Sequence, residues 1–206
     1  DLDLPKNGFV FCSFNKTYKI TPNVFDIWMK ILKQVKGSVL WLLEDNPTAT
    51  NNLKLEANKR NIDSARIIFA KRTKMSDHLA RHKVADLFID TLPYNAHTTA
   101  SDGLWVGLPF LTLVGDTFAS RVGASMLKAI GLPELITYSE NEYKNKAIEI
   151  ATNPILLKKI KKKLEKNKLS KPLFDAKLFT KNVESVYTKI YKNYVKNKKL
   201  QNIEIN

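Results

Sequence analysis

The sequence predicts an α/β fold: a Rossmann-like, doubly wound parallel sheet followed by C-terminal helices. Three observations predict it. Apolar runs of strand length alternate with amphipathic segments of helix length, so the pattern is βα repeated. The strand segments are nearly continuous in apolar residues, as a sheet covered on both faces requires. The connections are short, so parallel neighbours demand right-handed crossovers.

The elements follow in order. "GFVFCSF" (8–14) reads as the first strand. The segment 21–35 places Val24, Ile27, Trp28, Ile31, Leu32 and Val35 at 3,4 spacing on one helix face, with Thr21 as N-cap, Pro22 at the first helical position and Gly37 as the stop. Strand "SVLWLLE" comes next, then a polar helix around 50–60, strand "ARIIFA" (65–70), a short helix from Ser76 and strand "ADLFIDT" (85–91). A helix from Thr99 follows, and then strand "PFLTLVG" (109–115). Thr99 and Asp102 have the T-x-x-D spacing of a capping box, which predicts that they close the start of that helix. Beyond residue 150 the apolar positions return at helical spacing, with lysines on the opposite faces. We therefore expect a Rossmann-like domain over 1–150, and lysine-rich helices over 151–206 that pack on it. The tyrosines at 187, 191 and 194 share an apolar stripe and are expected in the core.

The net charge of +14 raises a nucleic-acid reading, but the charge is unevenly spread: residues 152–206 carry 15 lysines against 4 acidic residues, and the remainder is nearly neutral. No apolar run approaches the roughly 20 residues that span a bilayer, and no leader segment stands at the start, so a cytoplasmic protein is expected. Cys12, alone and inside an apolar run, offers neither a disulfide nor a metal site and reads as a packed strand thiol. The chain opens on Asp1 close to its first strand, which suggests a piece of something longer.

Open parallel sheets bind ligands beyond the carboxyl ends of their strands. Three loops there are unusual. "SFNKTYKITP" sets Lys16 and Lys19 ahead of a helix start; "KRTKMSDHLARH" sets His78 and Arg81 one turn apart; "DTLPYNAHTTASDGLW" sets Asn95, His97 and Thr98 before a helix, where free N–H groups and the helix dipole favour an anion such as a diphosphate. Neither G-x-G-x-x-G nor a Walker-type loop is present.

"FCSFNKTYKITP", "SVLWLL", "RIIFA", the block from "DHLARHKVADLFIDTLPYNAHTTASDGLWVGLPFLTLVGDTFASRVGASML" and "SKPLFDAKLF" closely resemble the carboxyl-terminal half of the catalytic region of O-linked N-acetylglucosamine transferases, SPINDLY-like members and bacterial relatives included. The resemblance runs through residues 8–195 and is most specific over 78–125. It implies an inverting, metal-independent GT-B glycosyltransferase without a cofactor, whose donor is a UDP-sugar, UDP-N-acetylglucosamine above all, and whose acceptors are serine and threonine hydroxyls of a protein or peptide. This chain would be the donor-binding domain, partnered in the parent protein by a first catalytic domain and tetratricopeptide repeats, and inactive alone.

By the same resemblance, Lys19 contacts the donor diphosphate, where an ammonium neutralises charge on the leaving group. Lys16 stands where animal relatives have glutamine. His78 lies beside the uracil ring with Arg81 one turn on; the Thr73 backbone meets the base edge; Met75 replaces a lysine that the adjacent Lys74 can stand in for. His97, Thr98 and Thr99 wrap the diphosphate and approach the sugar, which makes Lys19 and His97 the catalytic candidates, and Asp102 accepts from the ribose hydroxyls. Ser120 and Arg121 open another helix near the crevice. Plant O-fucosyltransferase-like relatives lack the histidine of the His-Thr-Thr loop, so uridine is preferred to guanosine. Two alternatives stand beside this: a basic module for nucleic acid or an anionic membrane surface, and another GT-B nucleotide-sugar enzyme such as an epimerase.

Overall fold

The structure is a computed structural model and describes residues 4–204 of the chain. Six parallel strands form one sheet: β1 (Val10–Ser13), β2 (Val39–Leu43), β3 (Ile67–Ala70), β4 (Leu87–Ile89), β5 (Phe110–Leu113) and β6 (Ile136–Thr137), in the order β3-β2-β1-β4-β5-β6. The chain winds outward from β1 in one direction, returns to β4 and winds outward in the other, so the topological switch point lies between β1 and β4. The doubly wound parallel sheet expected from the apolar runs is present. β6 escaped the sequence because two residues behind a 3-10 turn carry no periodicity.

The helices are α1 (Pro22–Gln34), α2 (Pro47–Lys59), α3 (Met75–His82), α4 (Thr98–Trp105), α5 (Val122–Ala129), α6 (Glu140–Thr152), α7 (Pro154–Lys168) and α8 (Ala176–Val195). α1 forms as its pattern dictates. Thr21 accepts from the Val24 N–H as N-cap, Pro22 opens the first turn, the six patterned apolar residues are buried, and Gly37 adopts φ +76° just past the end. Arg66 seals the far end of α1 by donating to the Leu32 and Val35 carbonyls at 2.7 and 3.0 Å. α1 packs on α6, where Trp28 Nε1 donates to the Tyr143 hydroxyl (3.2 Å), which in turn donates to the Asp90 carbonyl (2.9 Å). Cys12 is fully buried on β1, as expected, and burial pushes its thiol pKa well up, away from reactivity.

α7 joins this body: Ile160 and Leu164 are buried, and Asn167 Nδ2 caps the end of α5 through the Ile130 carbonyl at 2.8 Å. α8 departs from expectation. None of its residues is buried, and Tyr187, Tyr191 and Tyr194 are 67, 68 and 79% exposed, so the stripe assigned to the core lies on the surface. Helical spacing reports that a helix has an apolar face, not that this chain supplies its cover. Among the described residues no helix is long and apolar enough to cross a membrane.

Candidate functional site

The switch point gathers three loop systems. β1 runs into Phe14 and Asn15 and then a 3-10 turn over Thr17–Lys19; β3 runs into Lys71–Lys74; β4 ends at Asp90 and runs through residues 91–97 into α4. They enclose a cleft of about 360 Å³ lined by Phe14, Asn15, Lys16, Tyr18, Lys19, Leu43, Arg72, Tyr94, His97, Thr98 and Thr99. Five of the residues singled out from sequence, Lys16, Lys19, His97, Thr98 and Thr99, therefore share one concavity.

Lys19 is its electrostatic centre. Its Nζ donates to the Asn95 carbonyl at 3.0 Å and stands 3.8 Å from the centre of the Tyr94 ring. An ammonium has three donors, so this bond leaves two for a ligand. Burial lowers the Lys19 pKa, and the nearby Asp90 charge partly restores it. A partly desolvated cation beside a cleft gains more from an arriving anion than a solvated one does. Lys16 is exposed at the rim.

α4 begins two residues earlier than its capping-box spacing predicted, with His97 and not Thr99 as its N-cap. Thr98 is the first helical residue and His97 the N-cap, and no side chain caps the start. Thr99 and Asp102 thus form no capping box: both lie inside the helix, no side chain caps the first amides of α4, and Thr98 and Thr99 line the cleft wall. The His97 ring lies 5.2 Å from Tyr94 and its Nε2 is 3.4 Å from the Ala119 carbonyl. Asp90, behind this loop, is fully buried, and burial raises its carboxyl pKa to about 7 against the opposing pull of its hydrogen bonds.

The other predicted residues lie along the neighbouring edge. His78 and Asp102 face each other from α3 and α4 closely enough to couple electrostatically; burial lowers the histidine's pKa and raises the aspartate's, while each charge favours the other. Phe14, a wall of the cleft, packs edge-on to His78 at 5.6 Å, so this pair adjoins the cleft through one ring. Thr73 is exposed beside it, with its hydroxyl on Asp77 at 3.2 Å. Arg81 is 7% exposed; its Nη1 donates to the Lys71 carbonyl (2.9 Å) and its guanidinium lies 5.5 Å from the centre of the Phe14 ring, which supports the loop after β3. Ser120 is likewise committed, buried in a capping box with Thr117, while Arg121 is exposed as the N-cap of α5.

Several lining residues were not singled out from sequence. Tyr18 and Tyr94 look like ordinary surface aromatics until the fold brings them within 6.4 Å. Arg72 and Asp45 join the loops after β3 and β2 by an ion pair of 2.8 Å, which Thr17 reinforces. The amide oxygens of Asn15 and Asn95 are buried with no partner among the described residues. One signal was available: Asp90 is a carboxylate ending an apolar strand, a costly placement that calls for a reason. No group of three or more potential metal-binding side chains occurs among the described residues.

Comparison with known proteins gives this geometry its relatives. A UDP-N-acetylglucosamine–peptide N-acetylglucosaminyltransferase of Caenorhabditis elegans is 36% identical over 93% of this chain and 17% of its own length. A probable enzyme of the same name from Arabidopsis thaliana, SEC, is 34% identical over all of this chain and 21% of its own. The chain thus spans about a fifth of these relatives. A solved Thermobaculum terrenum O-GlcNAc transferase mutant, 29% identical, superposes with a TM-score of 0.86 over 90% of this chain and 36% of that one. The family model described as glycosyl transferase family 41 matches residues 1–183, and the chain therefore belongs to glycosyl transferase family 41.

Proposed function

We propose that this chain binds the donor of a protein glycosyltransferase, a UDP-sugar and specifically UDP-N-acetylglucosamine. In the full-length protein, with a first Rossmann-like domain and tetratricopeptide repeats, it serves transfer of the sugar to serine and threonine hydroxyls. The observation that carries this is the single cleft shared by the Lys19 ammonium and the uncapped start of α4. Two kinds of anion-binding group meet there, as the two phosphates of a nucleoside diphosphate call for. The relatives, named as UDP-N-acetylglucosamine–peptide N-acetylglucosaminyltransferases, support the donor and acceptor classes.

Each group then has a task. The acceptor oxygen bonds to the anomeric carbon as the bond from that carbon to the diphosphate breaks on the opposite face, inverting the centre. Negative charge grows on the leaving UDP, and Lys19 with the Thr98 and Thr99 amides stabilises it more in the transition state than in the ground state. These groups do the electrostatic work for which other transferases recruit a metal, so none is required. His97 stands between diphosphate and sugar. Asp102 accepts from the ribose, His78 flanks the uracil, the Thr73 backbone meets the base edge, and Lys16 supplements the charge at the rim. The acceptor hydroxyl's proton goes to a base outside this chain, and the chain alone binds donor without turning it over.

Calorimetric titration with UDP, GDP and ADP tests this. UDP should bind best, and Lys19→Ala should weaken it by about 1.5–3 kcal/mol, the scale of a hydrogen bond to a charged group. Equal affinity for all three nucleotides, untouched by the substitution, would refute the assignment.

A further inference from the structure

Building on the uridine-diphosphate reading of the cleft, we propose that Asp90 is the positioning residue of this site: its buried carboxylate is the mould on which the turn 91–97 folds, and through that turn it sets Lys19 and the start of α4. Asp90 follows β4 at the switch point and is 1% exposed. One carboxylate oxygen, Oδ1, accepts from the Thr91 N–H at 2.8 Å and from the Ala96 N–H at 2.7 Å, drawing both ends of the turn to a single atom. Asn15 approaches the same oxygen at 3.5 Å and donates to the Thr91 hydroxyl at 2.8 Å, which itself donates to the Tyr94 carbonyl at 2.7 Å. The second oxygen, Oδ2, accepts from Thr112 Oγ1 on β5 at 2.6 Å, which fixes the rotation of the carboxylate.

The effect reaches the cleft by two short routes. Asn95, buried inside the turn, donates to the Thr91 carbonyl at 2.9 Å and presents its own carbonyl to Lys19 Nζ at 3.0 Å. Ala96, whose amide Asp90 holds, is followed directly by His97, the N-cap of α4. An apolar side chain of similar volume would fill the space between β4 and β5 without the cost of an interior carboxylate. The carboxylate's two strong bonds to main-chain amides are both spent on the shape of one loop.

The test compares uridine with UDP on the full-length protein, because the turn serves the diphosphate while base and ribose are held from α3 and the body of α4. Asp90→Ala should weaken UDP about 10- to 100-fold, the loss of one or two bonds to a charged acceptor, and leave uridine within about threefold. Asp90→Asn, whose amide oxygen can still gather the two N–H groups, should restore most of the UDP affinity. Should Asp90→Ala not fold, Thr112→Val decides: it keeps the strand's shape, frees the carboxylate to rotate, and should cost UDP severalfold with uridine unaffected. A UDP-to-uridine affinity ratio unchanged in these variants, or a loss in Asp90→Asn equal to that in Asp90→Ala, would overturn the role of Asp90 alone. A wild-type protein that does not prefer UDP to uridine would overturn the diphosphate site and this role with it.

Discussion

Asp90 and His82 are two buried ionisable side chains whose titrations pull stability in opposite directions. His82 is fully buried against Phe14; its Nδ1 is 2.7 Å from the His78 carbonyl and its Nε2 has no partner among the described residues, so protonation would bury an unmatched cation. Its pKa falls to about 4 from 6.5, and its contribution is therefore whole above pH 6.5 and lost as pH falls toward 4. Asp90 rises to about 7 from 3.8, so its contribution is whole below about pH 4 and lost as pH rises through 7. Between pH 5 and 7 each amounts to roughly 2 kcal/mol, and they largely cancel. Urea denaturation at the two pH values should show Asp90→Asn gaining stability with rising pH and His82→Asn losing it. A parallel response in both variants would contradict the two burial assignments. At this scale the sequence was least legible. Lys19, His97 and Thr98 could be named because they stand at or ahead of helix starts, whereas Asp90 points inward on a turn, and the partners of Arg81 and Ser120, the Lys71 carbonyl and the Thr117 cap, are supplied only by the folded loops.

At the scale of elements, the helix starts couple fold to site. Thr21 caps α1 and also donates to the Leu92 carbonyl at 3.2 Å, so one hydroxyl joins the first helix to the turn 91–97. Thr21→Ala should cost about 1 kcal/mol in thermal or chemical denaturation, the usual value of a lost cap. α5 meets the sheet through Gly123, where an added methyl would lie 2.6 Å from Thr112 Oγ1 and 3.1 Å from Asp90 Oδ2. Gly123→Ala should therefore destabilise by about 1–3 kcal/mol through overpacking, despite alanine's better helix propensity, with UDP binding lowered alongside. A stabilised Gly123→Ala protein would show that α5 can move away freely. The elements themselves were readable to within a few residues, because strands buried on both faces and a capped amphipathic helix have strong local signatures. The error at α4 was in its cap: T-x-x-D fits from Thr99, but the helix starts two residues sooner, with His97 at the cap position directly after Ala96, whose amide donates to Asp90.

For the whole molecule, the parallel sheet and its switch point put every ligand-facing loop at one rim, and five of nine predicted contacts fell into one cleft because topology, not local sequence, collects them. α8 obeys the same apolar periodicity as α1 yet contributes no buried residue. Replacing Tyr187 and Tyr191 together by serine should leave the unfolding free energy of this chain within about 0.5 kcal/mol, as for surface positions; a larger loss would show that the stripe is covered. Those uncovered rings have a practical consequence. Despite a net charge of +14, which should keep molecules apart at low salt, adding ammonium sulfate will screen that repulsion and let the tyrosine-bearing helices find one another, so the purified polypeptide should cling to phenyl resin and cloud at modest salting-out.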